Sequence, residues 1–315
     1  MVPVIKLSSS PALLIDAFQS IGFAYLEDHG VSLKLQSRLE AVTTRFFALS
    51  PVEKMKYAMA GTGLSWRGYF PVGGELTSGK PDRKEGFYFG VDHPPTHPSV
   101  VKRLPTFGMN PWPDSEMKDT VTEYMHEMKR VSFAVMEMVA VGLRLEKDFF
   151  HKAFTDEPTE FFRVFGYPKH DFVGDEWGVR EHTDMGFLTV LKQDDSGGLQ
   201  AKTVKGDWIE VPPRPNTFVL NIGDMLEFWT GGVLRSTPHR VRNQAARERF
   251  SYPYFFDPGW HSSLKPIPMA RLAHFPAPDR VAKRWDGLEL HAVKSTYGEF
   301  VWNKISKVFP NLAGN

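Results

Sequence analysis

His182 and Asp184 stand two residues apart, His239 follows, and Arg249 and Ser251 come shortly after it, again two apart. Two imidazoles and one carboxylate can hold one face of a divalent iron and leave the opposite face open to ligands from solution. A planar guanidinium beside a hydroxyl suits a carboxylate, through two parallel hydrogen bonds from the arginine and a third from the serine. The ordered set points to oxidative chemistry at non-haem iron with a carboxylate-bearing co-substrate.

Such chemistry needs elements that bring these side chains together. At a strand end, His182 and Asp184 share a face, because alternate residues do. His239 follows Pro238, which favours extended backbone before it. Arg249 and Ser251 fall in the strand-like run 249–254 and can share a face as well. Taken singly, each feature has an ordinary reading. His182 and Asp184 also suit a turn histidine beside a solvated aspartate. Arg249 also suits a surface ion-pair cluster with Arg247 and Glu248.

Composition narrows the classes. A chain of 315 residues with 42% hydrophobic and 24% charged residues is ordinary for a globular protein and long enough to bury a large core. The formal charge of +1 gives no pull towards nucleic acid, and none is expected as a partner. The absence of cysteine excludes disulfides, thiolate metal sites and cysteine nucleophiles, and suits a reducing, cytoplasmic compartment. No secretory signal is visible, and no stretch approaches the roughly 18 apolar residues of a membrane span, so no membrane association is expected.

Helical spacing predicts helices over 10–21, 31–49 and 114–145, a helix start at Ser50-Pro51, and a helical tail over 291–308. Residues 61–90 read as a long ordered loop with short strands, and the proline-rich stretch 94–113 as a connector. From about residue 159 short strand-like runs alternate with turns, at 161–167, 186–192, 199–202, 208–211, 217–222 and 249–256. The expectation is an α+β chain with a mainly β core. It divides into a helical, mixed N-terminal region (1–158) and a β catalytic core with a C-terminal helix (159–315), in one compact unit.

These residues and their flanks resemble the isopenicillin N synthase-like family of iron(II)/2-oxoglutarate-dependent dioxygenases, over nearly the whole chain. The resemblance is carried by Val2-Pro3-Val4-Ile5, Gly22-Phe23-Ala24-Tyr25, His29-Gly30, and Gly79-Lys80-Pro81-Asp82 with Lys84-Glu85. It continues through His182-Thr183-Asp184-Met185-Gly186-Phe187-Leu188-Thr189, Gln193 to Leu199, Asn221-Ile222-Gly223-Asp224, Ser236 to Val241 and Arg249-Phe250-Ser251.

The resemblance implies a double-stranded β-helix, or jelly roll, and iron(II) held by His182, Asp184 and His239. It implies 2-oxoglutarate with its distal carboxylate on Arg249 and Ser251, dioxygen, and ascorbate as an added reductant. Oxidative decarboxylation to succinate would drive oxidation of a C–H bond in a small-molecule substrate, by hydroxylation, desaturation or ring closure. Tyr167 matches a position near the 2-oxo acid, and reads equally as a core tyrosine with a satisfied hydroxyl. Arg67, Glu75 and Thr77 belong to a loop that resembles one reaching over the substrate pocket. Asn221 and Asp224 read as turn-forming around Gly223, and His29 as a turn residue. Two alternatives stand beside this reading: an oxidase of the isopenicillin N synthase type that consumes no 2-oxoglutarate, and a metal-binding jelly roll without catalysis. Oligomeric state is not readable from the sequence.

Overall fold

The computed structural model describes residues 1–77, 79–169, 177–275 and 295–309. An eight-stranded sheet has the spatial order Val4–Lys6, Phe23–Glu27, Phe218–Ile222, Leu188–Gln193, Arg249–Asp257, Thr159–Tyr167, Glu85–Gly90 and Gly68–Phe70. Its first pair is parallel and the other pairs are antiparallel. A four-stranded antiparallel sheet has the order Trp208–Glu210, Leu199–Lys202, His239–Val241 and Val179–His182. The two sheets form the jelly roll that the resemblance implies, inside an α+β chain. Strands from before and after residue 158 share the large sheet, so the two regions of the chain have one core.

The middle strands of the large sheet are rich in aromatic and β-branched residues, which suit a pleated surface. They are buried along nearly their whole length and do not alternate with exposed residues. The reason is a helical layer on the outer face. Helix Ser115–Gly142 starts at Asp114, whose carboxylate accepts from Met117 N at 2.7 Å. Its stripe of Met117, Val121, Tyr124, Met128, Val131 and Val135 is buried. It packs on strands Leu188–Gln193 and Arg249–Asp257 and on helices Pro11–Ser20 and Leu33–Phe47. The first, second and long helices are thus shorter than their sequence patterns, which run on into polar caps and turns. Helix Pro51–Lys54 opens with a capping box between Ser50 and Glu53.

Short helices at Phe149–Phe154 and Asp224–Trp229 lie outside the periodic patterns. The tail forms helix Tyr297–Val308, and residues 291–294 of the expected helix lie outside the described residues. Within 61–90 a small hairpin, Leu76–Thr77 with Lys80–Pro81, packs against strand Val179–His182 and the C-terminal helix.

Candidate active site

His182 is the last residue of its strand and His239 the first of its own, and the two are register partners in the small sheet. Their rings are 4.2 Å apart between centroids. Asp184 follows two residues after His182, and its Oδ1 lies 3.9 Å from His182 Nε2 and 3.8 Å from His239 Nε2. One potential ligand atom from each residue lies within 4.8 Å of the others, close enough for one ion to reach all three.

The surrounding bonds aim these atoms. His182 Nδ1 is 2.8 Å from Arg180 O, and His239 Nδ1 is 3.1 Å from Thr237 O. A carbonyl can only accept, so each Nδ1 carries the proton and each Nε2 keeps its lone pair for a metal. Asp184 Oδ2 accepts from Thr189 Oγ1 and from Asn221 Nδ2, both at 2.6 Å, leaving Oδ1 towards the histidines. Both donors come from the large sheet, so Asp184 spans the gap between the sheets.

Burial drives the His182 imidazole down to about 3, with a push from His239 in the same direction and a pull from Asp184 against it. Burial works to raise Asp184. The two imidazoles and the bonds from Thr189 and Asn221 outweigh it and hold the carboxyl below its usual range. At neutral pH this leaves a neutral imidazole and a carboxylate, the forms in which these groups bind a metal. The donor set fits a divalent ion with nitrogen and oxygen preferences.

Arg249 and Ser251 share the inner face of strand Arg249–Asp257, and both are buried. Arg249 Nε donates to Gly197 O at 2.7 Å, and Nη2 is 3.4 Å from Gln193 Oε1. That carbonyl is in place because Gly197 and Gly198 turn with φ of 75° and 85°, and a Cβ on Gly198 would lie 2.0 Å from Arg242 O. Nη1 of Arg249 is buried and has no partner among the described residues. An unmet donor on a buried guanidinium fits a carboxylate from outside the chain. Tyr167 lies opposite Arg249 across the strand pair, with its ring 4.7 Å below the guanidinium carbon and its hydroxyl 3.4 Å from Ser251 Oγ.

The other loop candidates are engaged within the protein. Arg67 is buried, and its guanidinium donates to Gly108 O and, at 2.9 Å, to Thr106 O. Glu75 accepts from Tyr88 at 2.5 Å and lies 2.7 Å from Lys84 Nζ, which also pairs with Asp82 at 2.6 Å. Thr77 donates to Asp82 at 2.6 Å. Asn221 departs from the turn reading, because it lies within strand Phe218–Ile222 side by side with Thr189 and its amide faces Asp184. Asp224 opens the short helix, where its carboxylate accepts from Ser236 at 2.9 Å. His29 sits against Phe218 and accepts from Val31 N, as a turn residue does. The signal that could have found Asn221 is a polar residue inside the otherwise apolar run 218–222.

The 2OG-Fe(II) oxygenase superfamily model matches residues 158–258, and a model described as non-haem dioxygenase in morphine synthesis N-terminal matches residues 2–115. A "probable iron/ascorbate oxidoreductase" of Dictyostelium discoideum is 42% identical, over 95% of this chain and 89% of its own length. A 1-aminocyclopropane-1-carboxylate oxidase of Dictyostelium mucoroides is 33% identical, over 94% of this chain and 89% of its own. A full-length Neurospora crassa protein, crystallised in complex with alpha-KG, superposes with a TM-score of 0.77 at 25% identity, over 97% of this chain and 96% of that one. The chain belongs to the 2OG-Fe(II) oxygenase superfamily, whose members are oxidoreductases that use iron(II), 2-oxoglutarate and dioxygen.

Proposed function

We propose that the chain oxidises a C–H bond of a small molecule, with His182, Asp184 and His239 as the iron ligands and Arg249, Ser251 and Tyr167 around the far carboxylate of 2-oxoglutarate. The observation that carries the co-substrate assignment is the unpartnered, buried Nη1 of Arg249. Iron(II) with 2-oxoglutarate and dioxygen supplies the oxidation, and 2-oxoglutarate leaves as succinate and carbon dioxide. The residues do the rest. His182 and His239 offer Nε2, because their Nδ1 protons are tied to backbone carbonyls. Thr189 and Asn221 keep Asp184 ionised and turned towards them. Arg249 fixes the co-substrate at its far end, so its 2-oxo acid end meets the metal in one orientation. The hairpin bearing Thr77, held at its base by Glu75, Asp82 and Lys84, walls the substrate end beside the His182 strand. Arg67 supports that end by fastening the 106–108 loop.

Among the described residues no helix is long and apolar enough to cross a membrane. A cytoplasmic setting is part of the proposal, supported by the absence of cysteine.

An oxidase of the isopenicillin N synthase type, which consumes no 2-oxoglutarate, is the second reading, and one relative is named an oxidase. Anaerobic addition of 2-oxoglutarate to the iron(II) protein separates the two. The proposal expects a weak visible charge-transfer band, and succinate once air is admitted. Oxygen uptake with another substrate, without band or succinate, decides for the oxidase.

A further inference from the structure

We propose that Arg163 determines specificity for the prime substrate by binding a carboxylate that this substrate carries. The inference rests on the oxygenase reading of the same barrel. Arg163 lies on strand Thr159–Tyr167, four residues before Tyr167 and on its face. The guanidinium carbon is 4.1 Å from the ring centre of Tyr88, 4.5 Å from that of Trp66 and 4.7 Å from that of Phe255. These rings offer faces to a cation but no acceptor of its hydrogen bonds.

Arg163 Nε is buried without a partner among the described residues. The neighbouring carboxylate oxygen is Glu75 Oε1, 4.0 Å from Nη1 and beyond hydrogen-bond reach. That oxygen already takes the Tyr88 hydroxyl, and the other oxygen of Glu75 faces Lys84. Among the described residues, no acceptor is hydrogen-bonded to Arg163. A guanidinium has five donors, and leaving a buried one such as Nε unmet inside a protein is costly. Its planar fork matches a carboxylate.

2-Oxoglutarate cannot be that carboxylate's source. Arg249 faces Tyr167 across the strand pair, and Arg163 is four residues further along, roughly 13 Å at about 3.3 Å per residue. The far carboxylate of one small co-substrate can occupy only one of these places. Arg163 instead lies towards the iron end of the barrel, since its guanidinium stacks on Phe255, whose register partner Thr189 bonds Asp184. Lys84 is no rival, because Glu75 and Asp82 engage it at 2.7 and 2.6 Å. The substrate class is therefore an organic acid with an apolar or aromatic body, held by its carboxylate between Trp66, Tyr88 and Phe255.

The test uses the full chain loaded with iron(II) and saturating 2-oxoglutarate under argon, so that the Arg249 place is filled. Benzoate and 3-phenylpropionate are the probes, with benzamide and 3-phenylpropionamide as uncharged counterparts. Binding and iron-induced proton relaxation of the probes are read by NMR. The wild type should bind the acids near the iron and the amides at least tenfold more weakly. Arg163→Gln should lose at least tenfold in acid binding, and Arg163→Lys should recover part of it. Affinity for 2-oxoglutarate, the control for folding, should stay within about threefold. Acid binding that is equal in wild type and Arg163→Gln, amides that bind as well as acids, or acids that show no relaxation near the iron would each overturn the assignment. If Arg163→Gln loses 2-oxoglutarate binding through misfolding, Arg163→Lys and the acid-to-amide ratio in the wild type decide. Failure of the wild type to bind 2-oxoglutarate is a different result and sinks the oxygenase reading itself.

Discussion

Asn221 shows how one amide governs a charge. It shares Asp184 Oδ2 with Thr189 and lies wholly inside the barrel. Removing a residue that orients a ligand typically costs about 10–100-fold in metal affinity. Asn221→Ala should lose that much affinity for iron(II) in a chelator competition. Unchanged affinity would mean that Thr189 alone orients the carboxylate. Arg249 belongs to the same scale but to another ligand. Losing a buried charge-assisted hydrogen bond costs about 1.5–3 kcal/mol, roughly one to two decades in affinity. Arg249→Leu should weaken 2-oxoglutarate binding by that factor and leave iron occupancy nearly intact. An unaltered 2-oxoglutarate titration would place the clamp elsewhere.

Among the elements, the turn after Asp184 has the least room. A Cβ on Gly186 would stand 1.4 Å from Asp257 Oδ1, and one on Gly223 would in turn meet the backbone of Gly186. Overpacking of this kind costs about 1–3 kcal/mol. Gly186→Ala should lower stability by at least that much in urea titration and also weaken iron binding, because the turn carries Asp184. A variant as stable as the wild type would show that the turn can shift at little cost. This crowding is invisible in the sequence, where Gly186 is simply one of 26 glycines. What was legible were the local signals. Periodicity marked the long helix, the runs 161–167 and 249–256 marked core strands, and the two-residue spacings marked shared faces. The short strands at His182 and His239 were not legible, since three or four residues carry too little pattern. Nor were the roles of Asn221 and Arg163, which depend on strands distant in the chain. What ties down the loop of residues 67–77 was not legible either: Lys84, Tyr88 and two backbone carbonyls hold its charged side chains.

At the scale of the whole molecule, Asp257 gives stability a dependence on pH. Burial pushes its carboxyl up to about 7, against the pull of Tyr297 and of Phe187 N. In the unfolded chain the group titrates near 4. The folded state therefore holds this proton more tightly, and that contribution is full below about pH 4 and lost as pH rises towards 7. Asp257→Asn removes the term. The stability of the metal-free wild type relative to this variant should fall between pH 5 and 8, measured by urea midpoints. A flat difference would mean that the group titrates normally. The ligands' origin has a mechanical consequence. Two come from one sheet, and the third is anchored to the other. A single ion there is a rivet through two plates. Drawing it out with a chelator should speed amide exchange at 179–182 and 239–241, the thinner plate, while the strand 188–193 under its helices stays protected. Uniform loosening of both plates would mean that the hydrophobic filling, and not the ion, sets their grip.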